Sequence, residues 1–138
     1  MKKNIFKGMM VAAVISVLAI GCAKEEGDNS IVTLPRDKFI GTWTVNSHGT
    51  VSGDLTWDMI IEAGPADEPS KVVLKNFDET GNDKSVNALV SGSALTIPDT
   101  TIGSVTVQGT GSINGATLTL DYTSTDSQTD VVHATAHK

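Results

Sequence analysis

The chain has 138 residues, ten basic against 16 acidic, for a formal net charge of −6. That sign disfavours nucleic acid, whose phosphates ask for clustered Lys and Arg, and the length bounds the chain to one ordinary domain. With Cys22 as the only cysteine, no disulfide forms within the chain.

In chain order, the first element is Met1 to Cys22. Lys2, Lys3 and Lys7 make a positive start, and Met9 to Ile20 is an apolar run broken only by Ser16. At about 12 residues the run matches a signal-peptide core of ~7–15 and is well short of the ~20 needed to span a bilayer. Leu18-Ala19-Ile20-Gly21-Cys22 ends it on small residues, and this arrangement resembles the lipobox of bacterial lipoproteins. The resemblance implies cleavage before Cys22, lipidation of Cys22 as the first mature residue, and a membrane as the first partner, held through acyl chains. Each buried CH₂ contributes about 0.8 kcal/mol to such an anchor. Because all 16 acidic residues and only seven basic ones follow Cys22, the mature chain carries −9. A polybasic membrane patch is therefore absent, and without a disulfide the exported domain relies on its core.

Residues 22–33 read as a lipidated cysteine and a tether. Lys24-Glu25-Glu26-Gly27-Asp28-Asn29-Ser30 has no apolar residue to bury, so nothing offsets the entropy of ordering it. It serves either as a solvated spacer or, through Lys24-Glu25-Glu26, resembles the Lys-plus-acid signal that sends Bacteroidota lipoproteins to the outer cell face.

Residues 34–138 form the folded domain. Thr33 is placed to cap a short helical segment over Leu34 to Ile40, with Pro35 in its first turn and Gly41 as its stop. Alternating segments follow. Trp43 and Val45 share one face of a first strand; Leu55, Trp57, Met59, Ile61 and Ala63 share one face of a second. Lys71 to Phe77 is apolar on both faces and is expected to be covered on both sides for part of its length. Val86, Ala88 and Val90 mark a fourth strand, and Leu95 and Ile97 a short fifth that Pro98 stops. Val105 and Val107 mark a sixth, Leu118, Leu120 and Tyr122 a seventh, and Val132, Ala134 and Ala136 the inner face of an eighth. Asn114-Gly115 predicts a type I′ hairpin turn, which needs positive φ at both central residues, and Ser91-Gly92-Ser93 a second tight turn. Eight short strands without a helix long enough for a parallel crossover predict an all-β antiparallel meander, curled into a small barrel or a sandwich.

Phe39-Ile40-Gly41-Thr42-Trp43 resembles the Gly-x-Trp opening of lipocalin-like barrels, in which a short helical turn leads into the first strand and the Trp closes one end. Leu95 to Pro98 and Gly109 to Leu120 are similar to the second half of small lipocalin-like lipoproteins of Bacteroidota. The resemblance implies a barrel. True lipocalins are longer and usually set a basic residue, late in the barrel, against the Trp; here Arg36 is the only arginine.

Residues able to do chemistry are few. His133 and His137 lie four residues apart on one strand, about 13 Å at ~3.3 Å per residue, too far to share a metal. With His48 they read as surface histidines, and no metal or cofactor is expected. Asp58 and Glu62 are separated by the same ~13 Å, beyond the ~5–9.5 Å of a glycosidase pair. No nucleophile-elbow motif singles out a serine, and Asp78 to Asp83 lacks EF-hand spacing. The chain is therefore expected not to be an enzyme. Trp43 and Trp57 are the candidate ligand-lining or barrel-closing residues. The expected protein is an outer-membrane, lipid-anchored, cell-surface binding protein. Its partner is a small apolar or sugar ligand or, alternatively, a protein: an outer-membrane assembly served as an accessory subunit, or a protease to be inhibited through rim loops.

Overall fold

The computed structural model describes residues 33–138; the segments expected as a signal peptide, lipidated Cys22 and tether lie, up to residue 32, outside the described residues. Eight antiparallel strands close into a barrel in simple sequence order: β1 (Gly41–Gly49), β2 (Gly53–Ala63), β3 (Lys71–Lys75), β4 (Ser85–Ser91), β5 (Ala94–Ile102), β6 (Val105–Asn114), β7 (Thr117–Thr125) and β8 (Thr129–His137). The meander follows from the short turns between strands, since antiparallel neighbours need no crossover. Closure comes from β1 pairing with β8, Thr44 opposite His137 through Gly49 opposite Val132. It removes the sheet edges that would otherwise template aggregation.

Period-two alternation puts apolar residues of every strand into one interior cluster. Trp43, Val45, Met59, Val72, Leu74, Val107, Leu118 and Leu120 are all fully buried. β2 overruns this core at both ends, so Leu55 is only half-buried and Ala63 is exposed. On β6 the inward positions include Gly109, where a Cβ would collide with Asp121 O and the Tyr122 Cα and Cβ. Only glycine lets β7 press this closely against β6, and such a site is where a barrel wall can bend.

Several local expectations are corrected. Leu34, not Thr33, precedes the first helical turn, a 3₁₀ turn over Pro35–Phe39, and Asp37 Oδ2 accepts from Leu34 N at 2.7 Å. β3 ends at Lys75; Asn76 turns left-handed (φ 56°), so Phe77 leaves the sheet and enters the core from a loop. Val73, on its outer face, is half-buried. Pro98 does not stop β5. The strand continues to Ile102 through a bulge, with Ile97 opposite Gly109 and Thr100 opposite Val107; a bulge tolerates a residue with no N–H.

The Asn114-Gly115 hairpin is real, but its register is one residue on. Asn114 pairs with Thr117, so the loop is Gly115-Ala116, and only Gly115 has positive φ (63°). Glycine first in a two-residue loop is the type II′ pattern. Gly92-Ser93 and Gly103-Ser104 repeat it.

Candidate functional site

Strand direction assigns the connections to two ends. The base carries the N-terminal 3₁₀ turn, the loop from Gly64 to Ser70, Gly92-Ser93 and Gly115-Ala116. The rim carries Thr50 to Ser52, Asn76 to Lys84, Gly103-Ser104 and Asp126 to Gln128.

The base is plugged. Trp43 is fully buried there and donates Nε1–H to Phe39 O at 2.7 Å. Lys138 Nζ lies 4.8 Å from the Trp43 ring centroid and donates to Ile40 O at 2.7 Å. The basic side chain over Trp43 is thus Lys138. Arg36 acts elsewhere. Its Nη1 donates to the carbonyls of Gly64, Pro65, Glu68 and Lys71 at 2.9–3.3 Å, tying the β2–β3 loop to the 3₁₀ turn.

The rim is bridged. From the β3–β4 loop, Phe77 drops into the barrel and packs on Tyr122 with ring centroids 4.6 Å apart. Asp78 then accepts hydrogen bonds from Tyr122 Oη at 2.7 Å and Ser124 Oγ at 2.6 Å. Burial, followed by the Asp78 charge, pushes the Tyr122 hydroxyl well above its ordinary range. On either side of this bridge are depressions of about 400 Å³ against β5–β6 and about 310 Å³ against the β1–β2 and β7–β8 loops. Beside the second, the Asp130 carboxylate holds the β1–β2 turn, accepting from Val51 N at 2.7 Å, Ser52 N at 3.0 Å and Thr50 Oγ1 at 3.1 Å. Desolvation raises its pKa, but the Ser52 hydroxyl, the two amides and the Thr50 hydroxyl together outweigh it and hold the group at about 2.

Trp57 lies on β2 opposite Val45, 7% exposed, with its indole Nε1 buried and lacking a hydrogen-bond partner. Ser47 Oγ, also buried on the inner face of β1, lacks one too. A broad concavity lies outside the barrel, an open groove of about 580 Å³ over β5 to β8. Its edges are the Pro98-Asp99 bulge, Gln108, the half-exposed Val131, and His133 with its carboxylate partner Asp121. Its size falls in the ~300–1,000 Å³ range of ligand pockets.

No period-two pattern announces this groove, because it depends on a bulge in β5 and on the neighbours of β8. Sequence reasoning missed the Asp78 bridge, the Asp130 clasp and the pairing of His48 with His133 across the β1–β8 seam. The last had one signal: a histidine near the end of the first strand and another in the last, which closure can bring together.

No family model and no curated protein matches the chain. Among solved structures it is similar to a redesigned β-barrel, with a TM-score of 0.58 and 16% identity over 79% of this chain and 98% of that one. The likeness is one of fold.

Proposed function

We propose that this chain is an outer-membrane lipoprotein, held by lipid on Cys22, whose barrel binds a protein partner through its outer surface without catalysis. The observation that carries the reading is where the free concave surface lies. Apolar side chains from all eight strands fill the interior, and both ends are closed, by Trp43 at the base and Phe77 at the rim. The groove over β5 to β8 is open to solvent. A filled barrel fits an interaction module better than a carrier. Cell-surface exposure rests on Lys24-Glu25-Glu26, and the membrane on the charged start, apolar run and small residues that end in Cys22.

A second reading, a small apolar or sugar ligand inside the barrel, has one observation in its favour: the Trp57 indole N–H is buried with nothing to donate to. Buried donors left unpaired cost about 1–3 kcal/mol, and a ligand acceptor would relieve that.

The two readings separate in a ¹H–¹⁵N spectrum of the protein titrated with apolar probes and simple sugars. The interaction reading expects the Trp43 and Trp57 indole resonances to stay in place; saturable movement of Trp57 would transfer the assignment to the interior ligand. The anchor is tested by feeding cells an alkyne fatty acid. Label should appear on the protein and vanish in Cys22→Ala, and an unlabelled wild type would remove the membrane part of the proposal.

A further inference from the structure

Barrel closure sets His48 on β1 directly opposite His133 on β8. The row continues outward on both sides, with Asp54 of β2 opposite His48 and Asp121 of β7 opposite His133. All four side chains are on the outer face and largely in solvent, 71% and 87% exposed for the first pair, 73% and 55% for the second. His48 Nδ1 is 2.6 Å from Asp54 Oδ1, and His133 Nδ1 makes the matching contact with Asp121 Oδ1.

This arrangement fixes the tautomers. An ionised carboxylate has no proton to give, so each Nδ1 is the donor, and a neutral ring then keeps its lone pair on Nε2. The two carboxylates lie on the far sides of the histidine pair, so each Nδ1 turns away from the other ring. The nitrogens of an imidazole point to nearly opposite sides, so each Nε2 turns toward the seam between β1 and β8. Directly opposed residues have Cβ atoms about 4.5–5.5 Å apart. A tetrahedral ion bound at ~2.0–2.1 Å per nitrogen needs the two nitrogens about 3.3 Å apart, within reach of two such side chains.

We propose that His48 and His133 form a two-imidazole site for a borderline divalent cation, Zn²⁺ or Cu²⁺, at the closing seam of the barrel. Imidazole suits these ions. A carboxylate behind each ligating imidazole is the usual way its orientation and basicity are set, so Asp54 and Asp121 are positioning residues, and their two negative charges balance the ion. Among the described residues no group of three or more His, Cys, Asp or Glu side chains is placed to hold a metal. Water therefore completes the coordination, and the ion exchanges readily. A bound ion would also cross-link β1 to β8, the pairing on which closure depends. His133 and Asp121 also edge the groove over β5 to β8, but the site rests on the histidine pairing across the seam and not on the partner-binding reading above.

The experiment uses the full chain, untagged and carrying Cys22→Ala, which removes the single competing thiol. Zn²⁺ is titrated by calorimetry, and one equivalent of Cu²⁺ is examined by electron paramagnetic resonance. The expected result is one Zn²⁺ per chain, a Cu²⁺ spectrum split by two imidazole nitrogens, and affinity at least ~10-fold weaker in either His48→Gln or His133→Gln. His137→Gln should bind as the parent does. Thermal melts should rise with Zn²⁺ in the parent and not in the two variants. Absence of saturable binding, a one-nitrogen spectrum, or unchanged affinity in His48→Gln overturns the site. The exposed histidines leave folding intact; should one variant fail to fold, the other variant and the parent's nitrogen count decide.

Discussion

Asp78 holds Tyr122 across the mouth of the barrel. Asp78 leaves from the β3–β4 loop and Tyr122 stands on β7, four strands round an eight-strand ring and so on the opposite wall. The loop that makes this span is strained: Asn76, Asp78 and Glu79 all have positive φ, at 56°, 57° and 59°. Such residues cost on the order of 1–3 kcal/mol each and persist only where their surroundings hold them. Here the holding groups are the buried Phe77 ring against Tyr122 and the two hydrogen bonds to Asp78.

Tyr122→Phe keeps the ring and deletes the bond, so it should destabilise the protein by about 1.5–3 kcal/mol, the range for hydrogen bonds to a charged group. It should also change the alkaline limb. Because the folded hydroxyl titrates above the unfolded value of about 10, the unfolded chain binds fewer protons beyond that pH. Stability is then lost as pH rises past ~10, by about 1.4 kcal/mol per unit for this group. Tyr122 is the only tyrosine, so absorbance of tyrosinate reads it alone. The signal should appear only as the protein unfolds, and the phenylalanine variant should lose that part of the slope. A tyrosinate signal near pH 10 in the folded protein would contradict the bridge.

Asp130→Asn tests the clasp on the β1–β2 turn. The amide keeps one acceptor oxygen and replaces the other with a donor facing a backbone N–H, so a loss of about 1–2 kcal/mol is expected at neutral pH. The sign with pH is set by a folded pKa of about 2, below the ordinary aspartate value of 3.8. The carboxylate's contribution is complete above the unfolded value and disappears as pH falls through about 2. Urea melts of both proteins should therefore converge toward pH 2 and separate by pH 6; a gap independent of pH would mean that the charge is not what holds the turn.

Gly115 carries the base hairpin between β6 and β7. A β-branched residue at φ 63° is strained by about 1–3 kcal/mol, so Gly115→Val should lower the denaturation midpoint clearly. Asn114, now placed inside β6 opposite Thr117, should accept Thr with little change. Equal losses at the two positions would restore the turn to Asn114-Gly115.

Trp57→Ala separates packed interior from ligand wall. A ring only 7% exposed should cost about 3–5 kcal/mol on truncation, a large share of the ~5–15 kcal/mol that holds a typical domain. A loss under about 1 kcal/mol in a denaturant melt would mark the site as loosely packed and favour the interior ligand.

The all-β class, the eight strands and the inner face of nearly every one were legible in the residues, because period two is a local property. Trp43 with Val45, Val86 with Ala88 and Val90, and Val132 with Ala134 and Ala136 are all buried as their alternation requires. What it left between barrel and sandwich was decided by the pairing of β1 with β8, a contact between residues some ninety apart that no local pattern encodes. The same long-range step created the sites at the seam, the mouth and the base, whereas the groove over β5 to β8 needed the bulge in β5. Closure set His48 beside His133, put Tyr122 within reach of Asp78, and laid Lys138 over Trp43. Local reading also failed where tertiary packing outweighed propensity. Pro98 was absorbed by a bulge, and Phe77 left its strand after the left-handed Asn76 and buries its ring fully in the core from the loop.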